Sequence, residues 1–210
     1  MPPTMDSRLV EVAGSTPGFM PVTEGIALFD AGLAGGEVGP LLEIGSYCGR
    51  SAVFLGAAAQ RAGTKLYSID HHGGSEEHQP GEAFHDPRLT DPRSGLVDTL
   101  PEFNRTIRRA GLERFVQGIV GHSHEIARVW SEPLGLVFID GGHSAEVAHG
   151  DLDGWAPHVM PGGLLCIHDV FPDPGDGGRP PYEIYRRALD SERFVEERVE
   201  GSLRILRKTA

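Results

Sequence analysis

The chain has little cysteine, no long apolar run and no excess of basic charge. Its two cysteines, Cys48 and Cys166, lie inside apolar segments and match no metal-ligand spacing. Neither a disulfide framework nor a cysteine-based zinc site is therefore expected. No apolar stretch approaches the roughly 20 residues of a membrane span. The N-terminal MPPTMDSRLVEV lacks a basic segment followed by an apolar core, so a cytoplasmic protein without a membrane partner is expected. A net charge of -11 argues against a phosphate backbone as partner, and nucleic acid is not expected either.

What is present is an alternation of two patterns. Short strand-like runs (LLEIG, KLYSID, RFVQGIV, LGLVFID, GGLLCIHDVF) are separated by helical ones (SAVFLGAAAQRAG, TLPEFNRTIRRAGL, HEIARVW, SAEVAHGDLDGW, YEIYRRALD). FVEERVE and LRILRK, joined by Gly201-Ser202, read as a closing hairpin. The 210 residues suit a single α/β domain over 1–210, with a doubly wound, Rossmann-like, mostly parallel seven-stranded sheet and an antiparallel C-terminal strand. Residues 1–40, including the amphipathic VTEGIALFDAGL, read as a helical cover. The polar stretch 71–98 and the Pro/Gly-rich 172–181 both follow strands and read as substrate-side loops.

Within LLEIGSYCGRSAVFLG, Gly45 and Gly49 allow a tight turn and close backbone approach to a ligand before the next helix. A dinucleotide fingerprint would need glycine at Tyr47, and a P-loop would need lysine at Arg50. Both readings fail. Glu43 beside the turn suits a cationic ligand better than a pyrophosphate.

The run E-I-G-S-Y-C-G resembles the first motif of class I S-adenosylmethionine-dependent methyltransferases. The resemblance implies a cofactor site at Glu43, Gly45, Ser46 and Gly49. It makes Asp70, at the end of LYSID, the acceptor for both ribose hydroxyls, and it puts His122 and Ser123 of GHSHE beside the adenine. DGGHS at 140–144, Trp155 and PGGLLCIHDVF are similar to the small metal-assisted O-methyltransferases that act on sugar hydroxyls, macrolide-sugar methyltransferases among them. The likeness covers roughly residues 15–207. DHHGGSEEHQ adds a narrower similarity to the methyltransferases of mycobacterial methylmannose polysaccharide synthesis.

Asp140 and Asp169 end two different strands, which a parallel sheet would bring to one edge. Two hard oxygen donors there suit Mg²⁺ or Mn²⁺; the competing reading is one helix cap and one solvated acid. His168 is a third metal ligand or a neighbour of the ligands. Asp140 is also placed against the cofactor and in the catalytic set. His143, following Asp140 across two glycines, is the expected general base, with a surface or capping histidine as the alternative. His71, His72, His78 and His85 with Glu76 and Glu77 raise a zinc reading, which a polar loop around a hydroxylated substrate explains as well. Glu24, Tyr182 and Tyr185 are secondary pocket-lining candidates; Trp155 and Phe138 read as core.

The expected activity is methyl transfer to a sugar hydroxyl of a small-molecule or oligosaccharide acceptor, a methylmannose polysaccharide precursor being one such acceptor. Homodimerisation is left open. A metal-dependent catechol or phenolic O-methyltransferase and a non-catalytic nucleoside-binding module remain as alternatives.

Overall fold

The computed structural model describes residues 4–79, 81–82 and 84–209; expectations that touch residues 1–3, 80, 83 and 210 lie outside them. The apolar runs become β1 (Leu41–Ile44), β2 (Leu66–Asp70), β3 (Val116–Val120), β4 (Leu134–Ile139), β5 (Val159–Ile167), β6 (Phe194–Glu200) and β7 (Leu203–Lys208). They form one sheet in the order β3-β2-β1-β4-β5-β7-β6. β1 to β5 pair in parallel, whereas β7 runs antiparallel to both β5 and β6. The chain winds outward in both directions from the β1–β4 pair. The crevice at the C-terminal ends of these two strands is where such a sheet takes ligands.

The helices are α1 (Ser7–Gly14), α2 (Val22–Gly36), α3 (Arg50–Ala62), α4 (Leu100–Ala110), α5 (Ser123–Ala127), α6 (Ala145–Trp155), α7 (Pro174–Gly177) and α8 (Pro180–Asp190). Strand side chains alternate between two cores. Leu41, Leu66, Leu136, Phe138, Leu164 and Cys166 face α1 to α4. Leu42, Ile69, Val137, Ile139, Leu165 and Ile167 face α6 and α8. Both cysteines are buried and free, and Trp155 and Phe138 are fully buried, as expected. Gly25, Gly32 and Gly36 of α2 let it pack directly on Phe54, Ala58 and Ala62 of α3, at 2.3–2.7 Å from where a Cβ would stand. The N-terminal cover is thus seated on the helix that follows the glycine turn.

Three boundaries differ from the sequence reading. The helix expected over HEIARVW spans only Ser123–Ala127; beyond it Trp130 turns inward against Trp155 and Tyr67, and its Nε1 donates to the Glu132 carbonyl. The stretch 172–181 is not loop throughout, because α8 begins at Pro180, whose fixed φ suits a first helical turn. The stretch 71–98 carries two short 3₁₀ turns, Glu76–His78 and Pro87–Leu89, and a bridge between Thr90 and Val97. Among the described residues no helix is long and apolar enough to cross a membrane.

Candidate active site

The glycine turn between β1 and α3 is the first part of the site. Gly45 has φ +87°, and a Cβ there would lie 2.0 Å from the Asp140 carbonyl oxygen, so glycine is required for the ends of β1 and β4 to meet. Gly49, at φ +90°, caps α3. Tyr47, which breaks the dinucleotide fingerprint, still takes a left-handed φ of 45°. Its N–H thereby donates to Asp70 Oδ2 at 2.7 Å, while the His72 N–H donates to Oδ1 at 2.7 Å. A carboxylate offers about four lone-pair sites, so each Asp70 oxygen keeps one acceptor position for a hydroxyl.

Glu43 needs correction. On β1 it pairs in register with Ser68 and Phe138 and points into the α2–α3 core, where it is 0% exposed. It lies beneath the turn and has no surface with which to face a cationic ligand. Ser68 Oγ donates to its Oε1 at 2.6 Å, and burial pushes its carboxyl up to about 7. Among the described residues Glu43 Oε2 and Ser46 Oγ are buried without a hydrogen-bond partner. Such atoms beside a turn are commonly satisfied by water or a bound polar group.

The second part gathers at the ends of β4 and β5. Asp140, His168 and Asp169 each offer a ligand atom within 4.8 Å of the others. Asp169 has φ 54°, a conformation aspartate tolerates. His168 is 4% exposed; its Nδ1 lies 3.0 Å from Asp140 Oδ1 and 3.4 Å from Asp169 Oδ1, and its Nε2 lies 2.6 Å from Glu24 Oε2. Burial works to lower its pKa, but Asp140, Asp169 and Glu24 together raise it well above the ordinary histidine value. Asp140 is raised by burial against the opposing pull of His168, and Asp169 is held low by His143 and His168 despite its own burial. The donor set suits a divalent cation: two carboxylates, and one imidazole whose far nitrogen is held by a third carboxylate.

His143 reaches the same edge. Its Nε2 is 3.1 Å from Asp169 Oδ2 and its Nδ1 is 3.7 Å from Glu77 Oε1. The bond to Asp169 raises its pKa. The expected quartet of Asp140, His143, His168 and Asp169 is therefore brought together, with Glu77 of the 71–98 stretch added.

The adenine-side expectations fare differently. His122 is exposed at the N-cap of α5, its ring 5.0 Å from that of His71. The Ser123 hydroxyl is committed: it donates to Asp151 Oδ1 and accepts from Trp155 Nε1 at 2.8 Å. Asp151, unforeseen from sequence, is buried, raised by that burial to about 6, and sits under Gly141. The loop histidines diverge. His72 Nδ1 pairs with Thr99 Oγ1, His78 stacks on Tyr47 at 4.9 Å, and His85 Nδ1 bonds the His78 carbonyl. Among the described residues they form no metal cluster, in contrast to the zinc reading. Tyr185 Oη donates to Glu196, away from this edge.

Glu24 was legible only in part. It lies three, four and seven residues before the buried Ala27, Leu28 and Ala31, an acid on an apolar helix stripe. That signals a buried partner without naming it.

Comparison with known proteins bears on the fold. The chain resembles the O-methyltransferase from Bacillus cereus in complex with S-adenosylhomocysteine at 19% identity and a TM-score of 0.64, over 97% of this chain and 91% of that one. It resembles the O-methyltransferase NovP at 17% identity and a TM-score of 0.68, over 97% and 96%. It also resembles the MycE methyltransferase from the mycinamycin biosynthetic pathway, in complex with Mg and S-adenosylhomocysteine, at 20% identity and a TM-score of 0.55, over 96% of this chain but 55% of that one. These likenesses concern the fold. Residues 42–170, more than half of the chain and spanning β1 to the end of the Asp140–Asp169 edge, match the profile of a methyltransferase domain, and the chain belongs to that family.

Proposed function

We propose that this chain is an S-adenosylmethionine-dependent, divalent-metal-assisted O-methyltransferase acting on a sugar hydroxyl, with a methylmannose polysaccharide precursor as a specific candidate acceptor. The observation that carries the reading is the convergence of Asp140, Asp169, His168 and His143 at the ends of β4 and β5, with the glycine turn after the neighbouring β1 and Asp70 at the end of β2 beyond it. A nucleoside-binding module would have use for the turn and Asp70 but none for this quartet.

In the proposed reaction the C–S bond of the sulfonium breaks as a C–O bond forms to the acceptor, leaving S-adenosylhomocysteine and one proton. Sulfur already bears the positive charge, so the protein's task is alignment and deprotonation. Asp70 would hold the two ribose hydroxyls through its remaining lone pairs. Asp140, Asp169 and the Nδ1 of His168 would hold the cation, which would supply Lewis acidity toward the acceptor hydroxyl. His143 donates Nε2–H to Asp169 Oδ2 and takes the acceptor's proton at Nδ1, where the Glu77 carboxylate at 3.7 Å favours the resulting imidazolium.

One observation accommodates a second reading, a phenolic acceptor, equally well. Phe19 and Phe84, 58% and 49% exposed, cluster with Tyr47 and His78 beside the glycine turn, with neighbouring ring centroids 4.9–5.9 Å apart. Such rings receive a planar aromatic acceptor as readily as the C–H face of a sugar.

Chelation tests the assignment. It should abolish turnover while leaving calorimetric binding of S-adenosylhomocysteine largely intact, with Mg²⁺ or Mn²⁺ restoring the rate. Full turnover by chelated enzyme would remove the roles given to Asp140 and Asp169.

A further inference from the structure

The proposed metal edge is tied to a residue far from it in sequence. Glu24, on α2, is 4% exposed, and its carboxylate is held from two sides. Oε2 meets His168 Nε2 at 2.6 Å, and Oε1 accepts the Ser202 N–H at 2.8 Å, with Ser202 Oγ also in reach. The β6–β7 hairpin is shaped around it: Gly201 has φ +54°, and a Cβ there would stand 2.0 Å from Glu24 Oε1. The His168 backbone is fixed as well, its N–H donating to the Ile139 carbonyl at 3.1 Å. With one ring nitrogen held by Glu24, the other faces Asp140 and Asp169.

We infer that Glu24 is a positioning residue that aims His168 Nδ1 into the metal site, making it a two-carboxylate, one-imidazole set that prefers Mn²⁺ to Mg²⁺; this rests on the proposed metal role of Asp140 and Asp169. Mg²⁺ is a hard ion served best by oxygen ligands, whereas imidazole nitrogen adds affinity for first-row transition ions. A carboxylate on the distal nitrogen fixes the tautomer and orientation of a ligating histidine and raises its basicity. Glu24 is placed to do this, and it couples the N-terminal helical cover to the β4–β5 edge. Because the ring is enclosed by Glu24, Asp140 and Asp169, it has no solvent-facing nitrogen with which to turn away.

The test is metal binding by the full chain without acceptor, using Mn²⁺ and Mg²⁺ in calorimetry and Mn²⁺ in pulsed electron paramagnetic resonance. In the wild type, bound Mn²⁺ should show hyperfine coupling to a directly ligating histidine nitrogen. Glu24→Gln should weaken Mn²⁺ binding by about 10–100-fold and Mg²⁺ binding less, with S-adenosylhomocysteine binding retained as the mark of a folded protein. The wild-type spectrum decides even if the variant fails to fold. Bound Mn²⁺ without nitrogen coupling, or a folded Glu24→Gln with unchanged Mn²⁺ affinity and coupling, would overturn the inference and leave the metal site standing. A wild type that binds neither ion would overturn both.

Discussion

Two carboxylates illustrate how burial separates roles at the residue scale. Asp70 sits half-buried with acceptor positions to spare, and Asp70→Ala should lower affinity for S-adenosylhomocysteine at least tenfold in calorimetry, an order-of-magnitude expectation for losing charge-assisted hydrogen bonds. Glu43 is sealed beneath the turn, its carboxyl raised by burial from 4.5 to about 7. For an acid whose folded pKa is raised, the linked stability is fully present below the unfolded value and is lost as pH climbs through the folded one. Between pH 4.5 and 7 the fold should lose about 3 kcal/mol through this group, at about 1.4 kcal/mol per pH unit. Glu43→Gln should flatten that decline and raise Tm at pH 8 relative to wild type; identical pH profiles in thermal melts would show that Glu43 does not titrate in this window. His143 shifts the same way for a different reason, since its bond to Asp169 raises its pKa above the usual 6.5. Its neutral form is the one that accepts a proton, so kcat should rise with pH as His143 deprotonates. At saturating metal and acceptor, His143→Gln should cost about 10²-fold in kcat and erase that rise. Near-wild-type kcat would return His143 to a structural role.

At the scale of elements, the glycine turn and the β4 edge act as one unit, because Gly45 stands where any side chain would strike the Asp140 backbone. Gly45→Ala should destabilise well beyond Gly63→Ala at the end of α3, where φ is +71° but the space is open. The latter should cost only the left-handed penalty of about 1–2 kcal/mol. Chemical denaturation of the two variants compares them, and equal losses would mean that the Gly45 contact relaxes freely. The turn was readable in the sequence because its glycines punctuate an apolar strand and an apolar helix. Asp140 and Asp169 were readable for a related reason, since each ends a strand-like run and parallel strands end on one edge, and His143 follows Asp140 across only two glycines. The depth of Glu43 was not, because the alternation that buries it also reads as a residue beside the turn. Nor was the Glu24–His168 contact, which joins positions 144 residues apart through the packing of α2 on the sheet. The stacking of His78 on Tyr47 likewise depends on where the 71–98 stretch crosses the crevice, and a polar, histidine-rich composition does not encode that path.

For the whole molecule, the β3-β2-β1-β4-β5-β7-β6 sheet divides the labour: the turn after β1 and the end of β2 face the proposed cofactor, and the ends of β4 and β5 face the proposed acceptor. The N-terminal cover packs on α3 and places Phe19 beside the glycine turn. Arg50, at the start of α3, donates three hydrogen bonds to the carbonyls of Thr16 and Met20 and so holds Phe19 beside Tyr47. The central claim is methyl transfer from S-adenosylmethionine to an acceptor oxygen at the Asp140–Asp169 edge. The most direct measurement is an acceptor screen with methyl-labelled S-adenosylmethionine, run with Mn²⁺, with Mg²⁺ and with chelator, over sugar and phenolic hydroxyls, with the methylated atom identified in the product. The account predicts label on oxygen, on a sugar hydroxyl and only when metal is present. Label on nitrogen or carbon, or metal-independent transfer, would contradict it.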